Sequence, residues 1–227
     1  MFRMMLGEVD SCEEHFIGTH FVSFVGPLFP TYSMYVTEQH FSYENGVSAQ
    51  SWSGVQLPIY WKSVFLGYLR VWLMFLVFAA PFYLMWGETA DFDRPEWLVS
   101  LGFFVLWIAT FFFGRLSNEE KQKRRIWGSV VGLMLEPARL GDMDRRNRIF
   151  KLAELLEKVG FSRSAQDPEL FVRDILETVG EPKEIAHEES GKWELFCLAY
   201  TYASYQAVKQ KDWQTAAEEL WSSYSIK

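Results

Sequence analysis

The sequence predicts an α-helical membrane protein: a two-helix transmembrane hairpin between a small amino-terminal β-rich segment and a carboxyl-terminal all-α soluble domain. Residues 71–87 and 97–114 are uncharged and rich in Phe, Leu, Val and Trp, and a bilayer core of roughly 30 Å needs about 20 mostly apolar helical residues. The chain after residue 115 is as charged as an ordinary soluble protein. The predicted domains are a β-rich membrane-proximal segment (1–61), the hairpin (62–115, with helices 62–86 and 96–114) and a cytosolic helical domain (116–227).

Charges at the two ends of the hairpin predict its orientation. The connector 87–96 is acidic, whereas a basic run follows the second apolar segment. Basic residues near helix ends stay on the cytoplasmic side, so we expect an integral membrane protein with both termini cytoplasmic. The candidates for lipid-headgroup contact or topology are Lys121, Lys123, Arg124 and Arg125.

Three residues in the apolar segments are candidates for helix packing in the membrane. Arg70 lies about two turns into the first helix, where its guanidinium could reach the headgroups or act as a buried charge. Gly102 and Ala109 are seven residues apart in the second helix and fall on one face. Small residues let membrane helices approach closely, so this face could contact another subunit.

The amino-terminal segment is predicted to form a small β meander. Residues 20–25 and 32–37 are aromatic and β-branched, and Asn45 with Gly46 is a typical hairpin turn. Pro27 and Pro30 should interrupt the chain between the first two strands. An alternative remains open, because residues 15–37 are also uncharged and could form a third membrane segment, which would move the amino terminus outside.

Cys12, His15 and His20, with His40 further on, raise the possibility of zinc. Structural zinc sites use four ligands, usually in two closely spaced pairs, and only Cys12 and His15 form such a pair here. We therefore predict no metal and no cofactor.

The carboxyl-terminal domain is predicted to be helical throughout. A helix over 118–134 precedes one that Asp142 should cap and Gly160 should end. Asp167 should cap the next helix, with Pro168 at its first position and Gly180 after its end. Helices over 192–210 and from Asp212 to about 223 complete the domain.

The last helical pair resembles a single tetratricopeptide-repeat unit over about 196–223. Ala199, Tyr202 and Ala203 match the small and aromatic positions of the first helix, and Trp213 with Ala216 and Ala217 those of the second. The family's glycine before the Asp is Lys211 here, and no second copy occurs at the repeat period. The resemblance implies two closely packed helices that present a protein-binding surface.

No catalytic or cofactor-binding motif occurs in the chain, which has a formal net charge of -7. The negative charge disfavours nucleic acid as a partner, and the missing motifs disfavour an enzyme. We expect a membrane-anchored scaffold or accessory protein, in contact with the lipid bilayer, that binds other membrane or cytosolic proteins through its helical domain. The candidate partner-binding residues are the aromatic side chains Trp193, Tyr200, Tyr205, Trp213, Trp221 and Tyr224.

Two further functions stay open. The chain could be a small accessory subunit that packs within a multi-subunit membrane complex. Less favoured is a zinc-dependent enzyme that uses Cys12, His15 and His20.

Overall fold

The computed structural model describes residues 2–23, 26–44, 47–86, 96–161, 164–180 and 190–224. Within these ranges the fold is mixed: a four-stranded antiparallel sheet precedes seven α-helices. The chain divides into two compact units, Met1–Glu119 and Glu120–Lys227. Each unit is described by itself.

The sheet is a meander in which each strand pairs with the next along the chain. Its strands are β1 (Phe2–Cys12), β2 (His15–Ser23), β3 (Pro27–Glu44) and β4 (Val47–Leu57). The predicted turn at Asn45 and Gly46 lies outside the described residues, although the flanking Glu44 and Val47 are paired. The sheet is larger than the sequence pattern indicated, because β1 and β4 lack a clean alternation of apolar and polar residues.

Two expectations about residues 15–37 are wrong. They do not form a third membrane segment, because residues 15–23 and 27–37 belong to β2 and β3. Pro30 does not interrupt the chain either, since it lies inside β3 opposite Phe21, beside a register shift between His20 and Phe21. An irregular position of this kind tolerates proline, which has no N–H for the ladder.

One face of the sheet packs against helix α1 (Trp61–Trp86). A chain of buried hydroxyl groups joins them: Thr19 Oγ1 donates to Ser63 Oγ at 2.9 Å, and Ser63 Oγ donates to the Gly7 carbonyl at 2.6 Å. A Cβ on Gly67 would lie 3.1 Å from the Phe21 ring. The absence of a side chain at position 67 therefore lets α1 approach the sheet closely.

An ion pair between Lys62 and the buried carboxylate of Asp10 holds the start of α1 on β1. The Asp10 side chain is 1 % exposed, and its carboxylate accepts hydrogen bonds from Lys62 Nζ at 2.7 Å and from Tyr60 Oη at 3.1 Å. The Asp10 N–H donates to the Gly114 carbonyl at 2.8 Å. Position 10 therefore contacts both the segment that enters α1 and the segment that follows helix α2 (Glu96–Ala109).

The predicted two-helix transmembrane hairpin is wrong. Trp61–Ala79 is the one helical stretch among the described residues long and apolar enough to cross a membrane, while Leu98–Ala109 is too short. The 14 residues of α2 span about 21 Å, less than the roughly 30 Å of a bilayer core. The first turns of α1 lie on the sheet, so they cannot also cross lipid. Apolar composition alone did not reveal that the first turns of α1 pack on the sheet.

The second unit is helical, and its helix boundaries follow local capping rules. It comprises most of α3 (Asn118–Val131), then α4 (Asp142–Lys158), α5 (Pro168–Val179), α6 (Ser190–Ala207) and α7 (Lys211–Tyr224). The predicted cap of α5 is confirmed, because the Asp167 carboxylate accepts from the N–H groups of Glu169 and Leu170. The predicted cap of α4 is wrong: Gly141 is the N-cap, and Asp142 pairs with Arg145 and Lys209 instead.

Candidate functional site

The Arg70 side chain connects three parts of the first unit. Its Nη1 donates to the Glu8 carbonyl on β1 at 3.0 Å, and its Nη2 donates to the Thr110 carbonyl after α2 at 3.1 Å. The guanidinium carbon lies 4.7 Å from the centre of the Phe111 ring. These contacts hold the cation in one place, because a planar guanidinium with two fixed hydrogen bonds cannot rotate freely.

One N–H donor of this guanidinium, at Nε, makes no hydrogen bond within the described residues. Arg70 Nε is buried and has no hydrogen-bond partner within the described chain. A buried N–H without an acceptor is costly and uncommon in folded proteins. It marks a place where an acceptor that is not part of this chain would be stabilised.

A cleft of about 420 Å³ opens beside Arg70. Its volume falls within the range of small-molecule sites, which are mostly apolar with a few polar groups. The polar groups here are Glu8, Gln39 and Arg70. The remaining lining comes from β1, β2, β4, α1 and the region around the end of α2: Met5, Leu6, Gly7, Phe16, Trp52, Val71, Met74, Trp107 and Phe111.

A second cavity, of about 520 Å³, shares Glu8, Phe16 and Gln39 with this cleft. Its other lining residues are Glu13, Glu14, Thr37, Glu38 and His40. Glu8 interacts electrostatically with Arg70, so the cleft holds an anion and a cation close together, and further carboxylates line the adjoining cavity.

The candidate zinc residues do not converge. His15 stacks on Tyr35, and His20 stacks on Tyr32. His15 and His20 are five residues apart in one strand and so point to opposite faces of the sheet. No group of three or more His, Cys, Asp or Glu side chains suited to a metal occurs within the described ranges.

Most of the six candidate partner-binding aromatic residues lie inside the helical unit. Tyr200, Tyr205, Trp213 and Trp221 are buried, and Trp213 packs against Phe171 and Tyr202. Trp193 and Tyr224 are half-buried, with their ring centres 5.2 Å apart. These residues hold α5, α6 and α7 together. The small and aromatic positions of the repeat-like pair would have the same packing role in any pair of helices.

The basic run in α3 is also divided between core and surface. Arg124 is buried, and Lys123 Nζ lies 4.8 Å from the centre of the Trp221 ring. Lys121 is half-buried, whereas Arg125 is exposed. At least two of the four candidate headgroup residues therefore contribute to packing within the helical unit.

Gly102 and Ala109 do not mark the contact between α1 and α2. A Cβ on Gly102 would meet nothing within 4 Å, and Gly102 itself is exposed. Ala109 is half-buried. The face that carries Gly102 is therefore open to a partner outside this chain.

Two apolar surfaces are exposed, of which the sequence predicted only the first. The first covers α1 and α2 and includes Trp72, Phe78, Leu98 and Val105, each more than half exposed. The second lies on α4, where Met143 and Phe150 are both 72 % exposed. Met143 and Phe150 are seven residues apart and so share one side of α4, a spacing that could have been noticed in the sequence.

No protein-family model, curated protein or solved structure matches the chain. The fold and the cleft are therefore interpreted from their own geometry and chemistry.

Proposed function

We propose that this protein is a membrane-anchored accessory protein whose helical unit binds a protein partner. The observation that carries the proposal is the exposed apolar surface that α1 and α2 present beyond Arg70. Only 28 % of the apolar stretch within Trp61–Ala79 of α1 is buried, whereas a core helix of a soluble domain would be mostly covered by other parts of the protein. Exposed apolar patches of this extent mark contact with a membrane or another protein.

Lipid is the occupant that the composition of this surface favours. Among the described side chains of α1 and α2 beyond Arg70, the exposed ones are apolar or aromatic, and a protein interface would normally include a polar rim. From Val71 to Trp86, α1 is about 24 Å long, and this length is shorter than a bilayer core of roughly 30 Å. We infer that the helices enter the bilayer from one side without crossing it.

The path of the chain supports a single-sided arrangement. Residues 110–114 return to β1, where the Gly114 carbonyl accepts from the Asp10 N–H. Leu66 and Gly114 also lie close together, since a Cβ on Gly114 would be 3.3 Å from Leu66 Cδ1. The sheet and the segment that leads to the helical unit would therefore be on the same side of the membrane, which is the cytoplasmic side in our proposal.

Flotation with liposomes tests the membrane part of the proposal. The full-length protein, transferred from detergent into phosphatidylcholine–phosphatidylglycerol liposomes, should float with them and resist extraction at high salt and alkaline pH. Phe78→Glu with Val105→Glu should abolish flotation, because charges on this surface cannot be desolvated in lipid. The matched control, Met143→Glu with Phe150→Glu on α4, should float like the wild type. A wild type that stays in the soluble fraction would contradict the proposal.

The exposed pair on α4 is the proposed partner-binding surface. Large apolar side chains that stand clear of the core commonly anchor protein interfaces. A protein that co-purifies stoichiometrically with the full-length chain in gentle detergent should be lost from Met143→Ser with Phe150→Ser. It should remain with Leu155→Ser, an exposed apolar position elsewhere on the same helix. Equal retention of the co-purifying protein by both variants would exclude the pair on α4 as the partner-binding surface.

A second candidate, an accessory subunit that packs against other membrane helices, is favoured by the open face at Gly102. Gly102→Leu should then dissociate a multi-subunit complex without changing flotation, because close helix contacts depend on small residues. An intact complex in this variant would argue for the first candidate.

A further inference from the structure

We propose that the cleft beside Arg70 binds the headgroup of a zwitterionic phospholipid, with its phosphate on the Arg70 guanidinium and its ammonium group toward Glu8. This inference deepens the proposed membrane association and rests on it. Three features of the cleft support it: a fixed cation, the Glu8 carboxylate near that cation, and an apolar lining that includes exposed side chains of the helical surface.

The cation is positioned for a phosphate. A guanidinium has five N–H bonds, and the hydrogen bonds to Glu8 and Thr110 use two of them. Nε is buried without a partner in the described chain. Phosphate oxygens match the geometry of the remaining donors, and charge-assisted hydrogen bonds of this kind are stronger than neutral ones.

The acidic side of the cleft selects against a purely anionic ligand. Glu8 lines the cleft, and Glu13, Glu14 and Glu38 line the cavity that adjoins it, together with His40. A ligand with only negative charge would be repelled there. A headgroup that carries an ammonium a few bonds from its phosphate would meet complementary charge at both ends.

The apolar part of the cleft leads toward the proposed lipid surface. Met74 and Phe111 line the cleft and are also exposed. Trp107 also lines the cleft, with its ring centre 5.2 Å from that of Phe111. Acyl chains attached to a headgroup in the cleft could therefore lie along α1 and α2.

Native mass spectrometry of the full-length protein in maltoside micelles tests the inference. The probes are phosphatidylethanolamine, phosphatidylglycerol and diacylglycerol with identical chains, and phosphoethanolamine without chains. We expect phosphatidylethanolamine to bind about five-fold more tightly than phosphatidylglycerol, the size of effect that a partly exposed charge pair can provide. Diacylglycerol and phosphoethanolamine should both bind more weakly still.

Glu8→Gln is the principal variant, since it removes the side-chain charge and leaves the Glu8 carbonyl that accepts from Arg70. It should abolish the preference for phosphatidylethanolamine, whereas the matched Glu177→Gln, at an exposed carboxylate that does not line either cavity, should retain it. Arg70→Gln should weaken the binding of both phospholipids about five-fold or more and leave the binding of diacylglycerol unchanged.

Three results would overturn the inference. They are equal binding of the three lipids by the wild type, the same preference in Glu8→Gln and Glu177→Gln, and binding of phosphoethanolamine as tight as that of the intact lipid. The last result would assign the cleft to a soluble phosphate ester. Flotation separates the two proposals: a protein that floats without lipid preference refutes only the inference, whereas one that does not float refutes the membrane function.

Discussion

Arg70 Nη2 donates a hydrogen bond to the Thr110 carbonyl at 3.1 Å, and this contact ties the middle of α1 to the segment that follows α2. The same guanidinium reaches the Glu8 carbonyl on β1. A single cation thus satisfies backbone acceptors in two separate elements, which is the kind of contact that arginine makes better than lysine.

Replacement of Arg70 by Met should loosen the segment after α2. Loss of both hydrogen bonds leaves the Glu8 and Thr110 carbonyls without this donor, a cost of about 1–3 kcal/mol for each group that stays buried. We expect faster hydrogen exchange in residues 107–114, measured by mass spectrometry on the full-length protein. Arg115→Met is the matched control, because Arg115 stacks on Phe112 at 4.6 Å and is exposed. Equal effects of the two substitutions would contradict a specific role for Arg70.

Gly7→Ala should disrupt the docking of α1 on the sheet. A Cβ at position 7 would lie 1.9 Å from the Ser63 carbonyl oxygen, and φ of +71° is strained for any residue with a side chain. We expect a loss of at least about 2 kcal/mol in the free energy of unfolding of the first unit, measured by urea titration. Gly102→Ala, where a Cβ meets nothing within 4 Å, should leave stability almost unchanged. A mild effect at Gly7 would mean that this approach of helix and sheet is not required.

Lys62→Met should destabilise the first unit more than Lys62→Met combined with Asp10→Asn. Removal of the lysine alone takes a charged donor from the buried Asp10 carboxylate, which keeps its hydrogen bond from Tyr60, and a hydrogen bond to a charged group contributes about 1.5–3 kcal/mol. The double variant removes that charge and should recover part of the loss. Urea unfolding of the four members of the cycle measures the coupling. Additive effects would show that the pair contributes nothing specific.

The stability of the helical unit should fall as pH rises above about 9. Burial raises the pKa of the Cys197 thiol from 9.0 to about 12 and that of Tyr205 from 10.0 to about 12. Below the ordinary pKa values of the two side chains, the folded and the unfolded states both hold the proton, so the full stability is present. Between pH 9 and 12 the unfolded chain ionises first, and stability decreases.

Hydrogen exchange of α6 peptides at pH 8 and pH 10 checks this pH dependence. Cys197→Ala should reduce the difference in stability of the helical unit between pH 8 and pH 10, although it will also lower the stability at both pH values. Cys197 in the native protein should stay unmodified by maleimide at pH 8, because its thiolate is scarce and its sulfur is buried. Rapid labelling of Cys197 at pH 8 would contradict the structure of this core.

Local signals in the sequence were sufficient for parts of the helical unit. Asp167 and Pro168 start α5 and Gly180 follows its end, because a side-chain cap, a proline at the first position and a glycine at positive φ act within a few residues. The failure at Asp142 has a cause that is only partly local. Its carboxylate is drawn to Arg145 and Lys209, and the charge of Lys209 followed by that of Arg145 lowers the pKa of Asp142. Lys209 is far away in the sequence.

Composition alone identified the apolar character of residues 71–87 and 97–114, because hydropathy is a sum over neighbouring residues. The helix predicted over 62–86 also agrees with α1 at Trp61–Trp86. Composition could not reveal that the start of α1 lies on a sheet through Ser63 and Gly67 and so leaves less length available for lipid. The cleft was equally inaccessible to sequence reasoning, since Glu8, Arg70 and Phe111 come from distant parts of the chain. Only tertiary packing decides which apolar residues are covered, because burial depends on contacts between elements rather than on the residues themselves.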